Sequence, residues 1–255
     1  TPVAFATSIF TGEAPPVASV DADVSSVGVA SVEGTALPVS SVAISGSGNV
    51  AQYACEKAMQ LGAKVLTLSD SGGTLFVAQG MTPELLAELM IFKNVQRGRL
   101  ADFAQAHGLT FEAGKRPWHH AVDIALPCAT QNELDEQDAQ TLIANGVLCV
   151  AEGANMPSTL GAVDAFIHAG VLFAPGKASN AGGVATSGLE MSQNAMRLSW
   201  TAAEVDAKLH TIMKDIHQNC IRYGTRADGS VNYVDGANIA GFVKVAQAMA
   251  EQGVY

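Results

Sequence analysis

The 255-residue sequence predicts an α/β fold, in which a doubly wound, mostly parallel, Rossmann-like sheet is followed by a C-terminal helical segment. One observation is an apolar strand at residues 42–44 that passes through a glycine-rich turn into an apolar-periodic helix. Another is the regular alternation of helical patterns with further strands, which are expected at residues 65–68, 122–126, 147–151 and 171–174. Alternation at this spacing indicates right-handed crossovers and a parallel sheet. Beyond residue 181, helical patterns follow one another without an intervening strand.

The helices are predicted from apolar residues that recur at three- and four-residue steps, and from start signals. At Thr82-Pro83-Glu84, a threonine N-cap precedes a proline at the first helical position and an acid in the first turn. In the sheet-forming part, helices are expected at residues 49–61, 82–92, 100–107, 135–144 and 158–169. The C-terminal helices are expected at residues 183–200, 201–223 and 236–252.

The chain divides into three parts. We expect residues 1–41 to form an atypical lead-in, residues 42–180, which open with the glycine-rich turn, to form a dinucleotide-binding domain, and residues 181–255 to form C-terminal helices that pack on it. The lead-in contains no Lys, Arg or His, but its valines recur at helical steps after Pro15-Pro16, which predicts a helix of about four turns. Because the sequence begins without Met, we expect a processed or partial product.

Composition excludes several kinds of partner. A formal net charge of -10 argues against nucleic acid, because the overall field would repel it. No apolar run approaches the roughly 20 residues that span a bilayer, so we expect no membrane partner. Four cysteines are scattered without a C-x-x-C pair, which is typical of reduced thiols in a cytoplasmic protein and not of a disulfide framework.

A dinucleotide-binding motif of the form G-x-G-x-x-A connects the first strand to its helix. Gly46 permits the sharp turn, Gly48 lets the backbone approach a pyrophosphate, and small Ala51 allows close packing of helix and strand. Backbone N–H groups at the helix N-terminus are expected to hold the phosphates, which adds Ser47, Asn49 and Val50 to the predicted site. Asp70 ends the second strand about 20 residues later, where this fold places an acid. The alternative is a glycine-rich turn that binds no nucleotide.

Longer stretches carry a family resemblance. They are VAISGSGNVAQYA (residues 42–54), TLSDS (67–71), DIALPCATQNEL (123–134), VAEGANMP (150–157), LFAPGKASNAGGVATSGLEMSQN (172–194) and NYVDGANIAGFVKVAQAM (232–249). With these stretches, the chain resembles the coenzyme-binding half of hexameric bacterial glutamate dehydrogenases, whereas residues 1–41 depart from that family. The resemblance implies NADP-linked oxidative deamination of L-glutamate to 2-oxoglutarate and ammonia by a homo-hexamer.

The resemblance also implies where the chemistry takes place. In that family the other half carries the catalytic lysine and aspartate, so we expect no catalytic residue here and C-terminal helices that also pack toward a substrate domain. Lys177 lies in a Pro-Gly-Lys turn and is not expected to be catalytic. Val184 and Ser187 correspond to residues that line the substrate side chain, where the serine hydroxyl donates to the distal carboxylate of glutamate. The alternative is a helix N-terminus packed under the sheet.

Further cofactor contacts are implied beyond the motif. Asn155 corresponds to a residue at the nicotinamide ribose and carboxamide, although an asparagine before a helix is also a common cap. Ala129, Thr130 and Gln131 end another strand at the same edge of the sheet, with a polar turn as the alternative for Gln131. Asn180 precedes a run of small residues that allows close approach of a ligand.

The choice of coenzyme involves two conflicting arguments. An acid at the position of Asp70 ordinarily accepts from the ribose 2′-hydroxyl, which favours NAD. However, Ser69-Asp70-Ser71 resembles the NADP-preferring branch, in which the hydroxyl of Ser71 and nearby cations bind the 2′-phosphate. Three cations are candidates, and they are Lys93, Arg97 and Arg99. We predict NADP over NAD, with a plain solvated basic surface as the alternative for the cluster.

Two histidine pairs are candidate metal ligands. His210 and His217 fall two turns apart on a helix, but no carboxylate or thiolate completes a set at ligand spacing. His119 and His120, beside Trp118, are interpreted as packing in a loop. We therefore predict no metal site.

Two other functions stay open at this point. One is a related dehydrogenase of leucine, phenylalanine or valine, against which Ser187 argues because an apolar side chain would favour an apolar partner. The other is a stand-alone dinucleotide-binding or regulatory module.

Overall fold

The computed structural model describes residues 40–253 of the chain. The helix expected after Pro15-Pro16, and the lead-in to which it belongs, lie outside the described residues apart from the last two positions. Within the described part, no helix is both long enough and apolar enough to cross a membrane.

Seven strands form one mixed sheet. They are β1 (Ser41–Ile44), β2 (Lys64–Asp70), β3 (Gly73–Phe76), β4 (Thr110–Ala113), β5 (Ile124–Leu126), β6 (Cys149–Ala151) and β7 (Leu172–Ala174). Their spatial order is β4-β3-β2-β1-β5-β6-β7, in which β2, β1, β5, β6 and β7 are parallel. β3 and β4 add an antiparallel hairpin at one edge. The chain reverses direction across the sheet at β1, whose neighbours β2 and β5 lead away on opposite sides.

Nine helices complete the described residues. They are α1 (Asn49–Gln60), α2 (Pro83–Asn94), α3 (Leu100–His107), α4 (Glu136–Ala144), α5 (Leu160–His168), α6 (Gly176–Ser179), α7 (Gly182–Ala195), α8 (Ala202–Gly224) and α9 (Tyr233–Gln252). The predicted cap at Thr82 is confirmed, since its hydroxyl accepts a hydrogen bond from Leu85 N. A 3₁₀ turn at Pro117–His119 leads toward β5.

The core lies on both faces of the sheet. Val42 and Ile44 of β1 point into a cluster that also buries side chains from α1, α2, α3, α8 and α9. Ala43 points to the opposite face, where Trp118 and residues of α4 and α5 pack, among them Phe166. Alternate residues of a strand face opposite sides of a sheet, so helices on both faces bury a largely apolar strand. The predicted doubly wound architecture is confirmed.

The two C-terminal helices α8 and α9 pack closely against each other and against this core. A Cβ atom added at Gly236 would lie 2.1 Å from the Cys220 carbonyl oxygen, so only glycine allows this approach. Met213 and Cys220 of α8 and Tyr233 of α9 are buried in the cluster beside β1. The first of the three predicted C-terminal helices ends at Ala195, five residues before the expected end.

Two features of the fold differ from the sequence-based expectation. The hairpin of β3 and β4 was not predicted, because its strands have four residues each and β4 is only partly buried. Helix α9 begins at Tyr233 and not at residue 236, because the Asn232 side chain accepts hydrogen bonds from Val234 N and Asp235 N. A cap is a local signal, but Asn232 lies outside the apolar periodicity that was used to place the helix.

Candidate functional site

The glycine-rich turn is fixed by contacts to both neighbouring strands. Gly46 has a φ of 85°, and a Cβ there would lie 3.0 Å from the Cys128 carbonyl oxygen. Its N–H donates to Ser69 Oγ at 2.8 Å, and Ser69 N donates back to the Gly46 carbonyl at 3.0 Å. The turn is therefore held between β2 and the segment after β5, as the motif predicts.

The N-terminus of α1 is open toward solvent. Its N-cap, Gly48, provides no side-chain hydrogen bond, and the first turn contains no acidic residue. A Cβ at Gly48 would meet no atom within 4 Å. The first N–H groups of a helix have no intrahelical acceptor and carry a partial positive charge, so this end favours an anion.

A cleft of about 750 Å³ lies above this helix end. Of the predicted cofactor residues, those that line it are Gly46, Ser47, Gly48, Asn49, Val50, Asp70, Ser71, Ala129 and Thr130. The cleft lies at the carboxyl ends of β1, β2 and β5, where the strand order reverses. Ligands of open α/β sheets bind at this switch point, and the volume is typical of small-molecule sites.

Both carboxylate oxygens of Asp70 have protein partners. Oδ1 accepts from Gly72 N at 2.8 Å, and Oδ2 accepts from Leu100 N at 3.0 Å. Oδ2 also lies 3.8 Å from Lys93 Nζ, which donates to the Gly98 carbonyl at 3.0 Å. Asp70 thus joins the end of β2 to the first residue of α3. Lys93 already interacts with Asp70 and with the Gly98 carbonyl.

Arg99 and Ser71 form an exposed pair at the rim of the cleft. Arg99 Nη1 donates to Ser71 Oγ at 2.9 Å. Arg97, two residues earlier, is exposed with a φ of 56°, and within residues 40–253 no hydrogen bond joins it to Ser71. Of the three predicted cations, the structure brings Arg99 next to Ser71, places Lys93 beside Asp70, and leaves Arg97 separate.

Other predicted cofactor residues lie away from this cleft. Among the described residues, its wall includes none of Gln131, Asn155 and Asn180, and it includes none of the predicted cations Lys93, Arg97 and Arg99, of which Arg99 meets the wall through Ser71. Asn180 Nδ2 donates to Asn155 Oδ1 at 2.8 Å and to the Ala154 carbonyl at 3.1 Å. This pair follows β6 and β7, so it occupies the same edge of the sheet, farther along from β1.

The predicted substrate residues lie on α7. Val184 is 74% exposed, and Ser187 follows three residues later on an exposed part of the helix. Ser187 Oγ lies 3.4 Å from the Gly183 carbonyl of its own helix. Side chains three residues apart share a helix face, so both are presented together.

Sequence reasoning missed two carboxylates, of which Glu133 is half-buried in the wall of the cleft and Glu152 is buried. Glu133 Oε1 accepts from Ser45 Oγ at 2.8 Å and from Ala129 N at 2.9 Å, directly beneath the cleft. Burial raises the pKa of Glu133, although these hydrogen bonds oppose the shift. Glu152 accepts from Gly176 N at 2.6 Å and from Ser158 N at 3.2 Å, and burial likewise raises its pKa. Glu152 carried a sequence signal, since it is an acid among small residues directly after β6, whereas Glu133 follows a polar stretch seven residues after β5 and carried none.

Two cations that line the cleft were also missed. Lys115 and Arg116 follow β4 and reach the cleft because the hairpin folds beside β2. Arg116 pairs with Asp138 and, at 3.0 Å, with Asp135. No sequence pattern indicated that this loop returns to the motif.

The remaining chemically reactive residues are mostly structural. All four cysteines are free and buried, and burial raises the pKa of Cys55 to about 12. His217 Nε2 lies 3.1 Å from the Tyr233 hydroxyl. Lys177 Nζ donates to Asn238 Oδ1 at 2.6 Å and so ties α6 to α9.

Comparison with known proteins agrees with this geometry. A family model described as Glutamate/Leucine/Phenylalanine/Valine dehydrogenase matches residues 25–253. An NADP-specific glutamate dehydrogenase of Haemophilus influenzae is 64% identical over 84% of this chain and 48% of its own length. An NAD(P)-specific glutamate dehydrogenase of Xylanibacter ruminicola is 58% identical over 87% of this chain and 50% of its own length.

Solved structures show the same relationship. The crystal structure of Plasmodium falciparum glutamate dehydrogenase superposes with a TM-score of 0.81 and 42% identity, covering 85% of this chain and 47% of that one. The chain therefore spans about half the length of the curated relatives it matches.

Proposed function

We propose that this chain, which belongs to the glutamate/leucine/phenylalanine/valine dehydrogenase family, is the coenzyme-binding part of an NADP-linked glutamate dehydrogenase. Such an enzyme converts L-glutamate to 2-oxoglutarate and ammonia. The observation that carries the proposal is the open N-terminus of α1 beside the Ser71–Arg99 pair. These two features offer one place for a pyrophosphate and a second for a 2′-phosphate.

The residues present fit a dinucleotide. The N–H groups of the first turn of α1 would hold the pyrophosphate, and the open space at Gly48 lets the backbone approach it. The bound coenzyme supplies the hydride acceptor. The chain contributes binding, orientation and a low-dielectric wall, to which the segment after β5, with Ala129 and Thr130, belongs.

The arrangement around Asp70 supports NADP over NAD. Oδ1 already accepts from Gly72 N, and Oδ2 accepts from Leu100 N and faces Lys93, so fewer acceptor positions of this carboxylate remain for a ribose 2′-hydroxyl. Ser71 and Arg99 are exposed, and a guanidinium with a hydroxyl is a favourable phosphate site. The relative from Haemophilus influenzae is NADP-specific and that from Xylanibacter ruminicola is NAD(P)-specific, so this local geometry is the stronger argument.

The proposed substrate is glutamate, through Val184 and Ser187. A serine hydroxyl donates a hydrogen bond to a distal carboxylate, whereas the side chain of leucine, phenylalanine or valine offers that hydroxyl no acceptor. The exposure of both side chains fits a site that is completed by residues outside this chain. The contribution of Asn155 and Asn180 would be to orient the nicotinamide end.

We also propose that the assembly is a cytoplasmic homo-hexamer and that catalytic residues come from another part of the protein. Family resemblance supports the assembly. Exposed apolar side chains on α7 and α9 support burial of these helices against another domain or subunit. Examples are Met191 (73% exposed) and Phe242 (72% exposed). Free buried cysteines fit a reducing compartment.

Calorimetric titration of the 255-residue chain with NADPH and with NADH tests the proposal. We expect NADPH to bind more tightly, and we expect no glutamate-dependent reduction of NADP by a preparation of verified mass. Failure to bind either dinucleotide would overturn the coenzyme function. Tighter binding of NADH would overturn the choice of NADP, and turnover would overturn the absence of catalytic residues.

A further inference from the structure

One cluster of metal-ligating side chains lies outside the motif. Glu112 of β4 meets His119 and His120 at the end of the 3₁₀ turn. Glu112 Oε2 lies 3.1 Å from His119 Nε2 and 2.9 Å from His120 Nε2. The three potential ligand atoms all lie within 4.8 Å of one another.

From this arrangement we propose that Glu112, His119 and His120 form a binding site for a divalent transition-metal ion, of which Zn²⁺ is the type. Two imidazole nitrogens and one carboxylate oxygen are a familiar zinc ligand set, with a water molecule in the fourth position. The inference does not depend on the proposed dehydrogenase function, because none of the three residues belongs to the predicted coenzyme site.

The hydrogen bonds around His119 indicate that a cation belongs between these groups. His119 Nδ1 lies 2.8 Å from the Arg116 carbonyl oxygen, which only accepts, so Nδ1 carries a proton. In the neutral ring, Nε2 then has a lone pair that faces the Glu112 carboxylate at 3.1 Å. Two acceptors at this distance need a positive charge between them, which either a proton on Nε2 or a bound metal ion supplies. A backbone carbonyl on the outer nitrogen is also the usual support of a metal-bound histidine.

The two separations between Glu112 and the histidine nitrogens are close to those of a tetrahedral site. Zinc bonds of about 2.0–2.2 Å to nitrogen and oxygen place neighbouring ligand atoms about 3.3 Å apart. The observed separations of 3.1 and 2.9 Å need to widen by only a few tenths of an ångström. The His120 ring is held by Phe76, whose ring stacks on it at a centroid distance of 4.3 Å.

The electrostatic state of the cluster favours a bound cation. The Glu112 carboxylate faces both rings, at 3.1 Å from His119 Nε2 and 2.9 Å from His120 Nε2, so its negative charge attracts a cation placed among the three groups. Lys115 Nζ lies 4.0 Å from the other carboxylate oxygen, and its side chain is 63% exposed, so it has room to move away.

Spacing alone did not reveal this site. His119 and His120 are adjacent in sequence, and Glu112 is seven residues away on a strand that was not predicted. The hairpin brings the carboxylate under the two rings. The proposal therefore replaces our expectation from the sequence that the pair merely packs in a loop.

Titration of the chelator-treated chain with Zn²⁺, in competition with a chromophoric chelator, tests the site. We expect one equivalent to bind in the micromolar range or tighter, and at least tenfold weaker binding in each of Glu112→Gln, His119→Gln and His120→Gln. His168→Gln is the matched control, because His168 Nδ1 also faces a backbone carbonyl, that of Asp164, but His168 belongs to no cluster of potential metal ligands among residues 40–253. Equal binding in all variants, or no binding by the parent chain, would overturn the proposal.

A second measurement uses the parent chain alone, in case a variant fails to fold. Co²⁺ bound by two imidazoles and a carboxylate gives visible d–d bands without the near-ultraviolet charge-transfer band of a Co–thiolate bond. We expect that spectrum, and we expect added Zn²⁺ to abolish it and to raise the melting temperature. A thiolate band would mean that a cysteine binds the metal, and absence of any d–d band would mean that the cluster holds no such ion.

Discussion

Replacement of Arg99 by glutamine is the sharpest test of coenzyme choice. Arg99 Nη1 donates to Ser71 Oγ at 2.9 Å at the rim of the cleft, so a 2′-phosphate placed there would accept from both side chains. Glutamine keeps much of the side-chain length and removes the charge. NADPH binding is expected to weaken, and NADH binding to change little, because NADH has no phosphate at that position.

The magnitude follows from the kind of bond that is lost. A hydrogen bond to a charged group contributes about 1.5–3 kcal/mol, and the lower end applies to Arg99 because solvent screens an exposed charge. Each 1.4 kcal/mol corresponds to a factor of ten, so the dissociation constant of NADPH should rise about tenfold. Ser71→Ala removes only a hydroxyl and should cost less.

Calorimetric titration of both coenzymes at one fixed, low ionic strength measures the effect. Arg97→Gln is the matched control, since Arg97 is also exposed and lies two residues away, but within residues 40–253 it forms no hydrogen bond with Ser71. Equal weakening of NADPH and NADH by Arg99→Gln, or the same loss in Arg97→Gln, would refute the reasoning. The basic cluster would then be an ordinary solvated surface.

Three further outcomes are expected. Gly48→Val should abolish dinucleotide binding, because the added side chain would fill the space proposed for the pyrophosphate. The melting temperature should change little, because no atom of the described residues lies within 4 Å of a Cβ at this position. Unchanged affinity in calorimetry would contradict this. Gly236→Ala should lower the free energy of unfolding in urea by about 1–3 kcal/mol, because the added Cβ would overlap the Cys220 carbonyl oxygen. Gly241→Ala on the same helix is the control. It should be neutral or stabilising, because no atom of the described residues lies within 4 Å of its added Cβ. Burial lowers the pKa of His217, so the stability that its neutral ring contributes is fully present above the unfolded-state pKa of about 6.5. That stability is lost as the pH falls from there through the folded-state pKa. His217→Gln should flatten the fall in melting temperature between neutral and mildly acidic pH, and an equally steep fall would show that other groups cause it.

Much of the fold was determined by local sequence. Residues that are neighbours in the chain determine the turn at Gly46 and Gly48, the five parallel strands and the helices that connect those strands. Apolar periodicity and caps such as Thr82 act within one or two helical turns, so they are readable without knowledge of the rest. The same holds for the open end of α1, which follows from a glycine N-cap and the absence of an acid in the first turn.

The role of Asp70 shows where local reasoning ends. Its position at the end of β2 was predicted, and by itself that position favours a contact with ribose. The structure shows that Leu100 N, 30 residues later, donates to this carboxylate. Whether an acid is free or engaged depends on which segment returns to it, and no pattern around residue 70 contains that information.

What the sequence by itself determined is therefore the motif, the order of the elements and the family to which they point. Only the tertiary structure decided that β3 and β4 pair at the edge, that Lys115 and Arg116 reach the cleft, and that Glu112 lies beneath His119 and His120. The physical reason is the separation along the chain of the residues that interact. Caps and periodicity are set by contacts within a few residues, whereas an ion pair or a ligand set is formed by side chains that meet only after the intervening chain has packed.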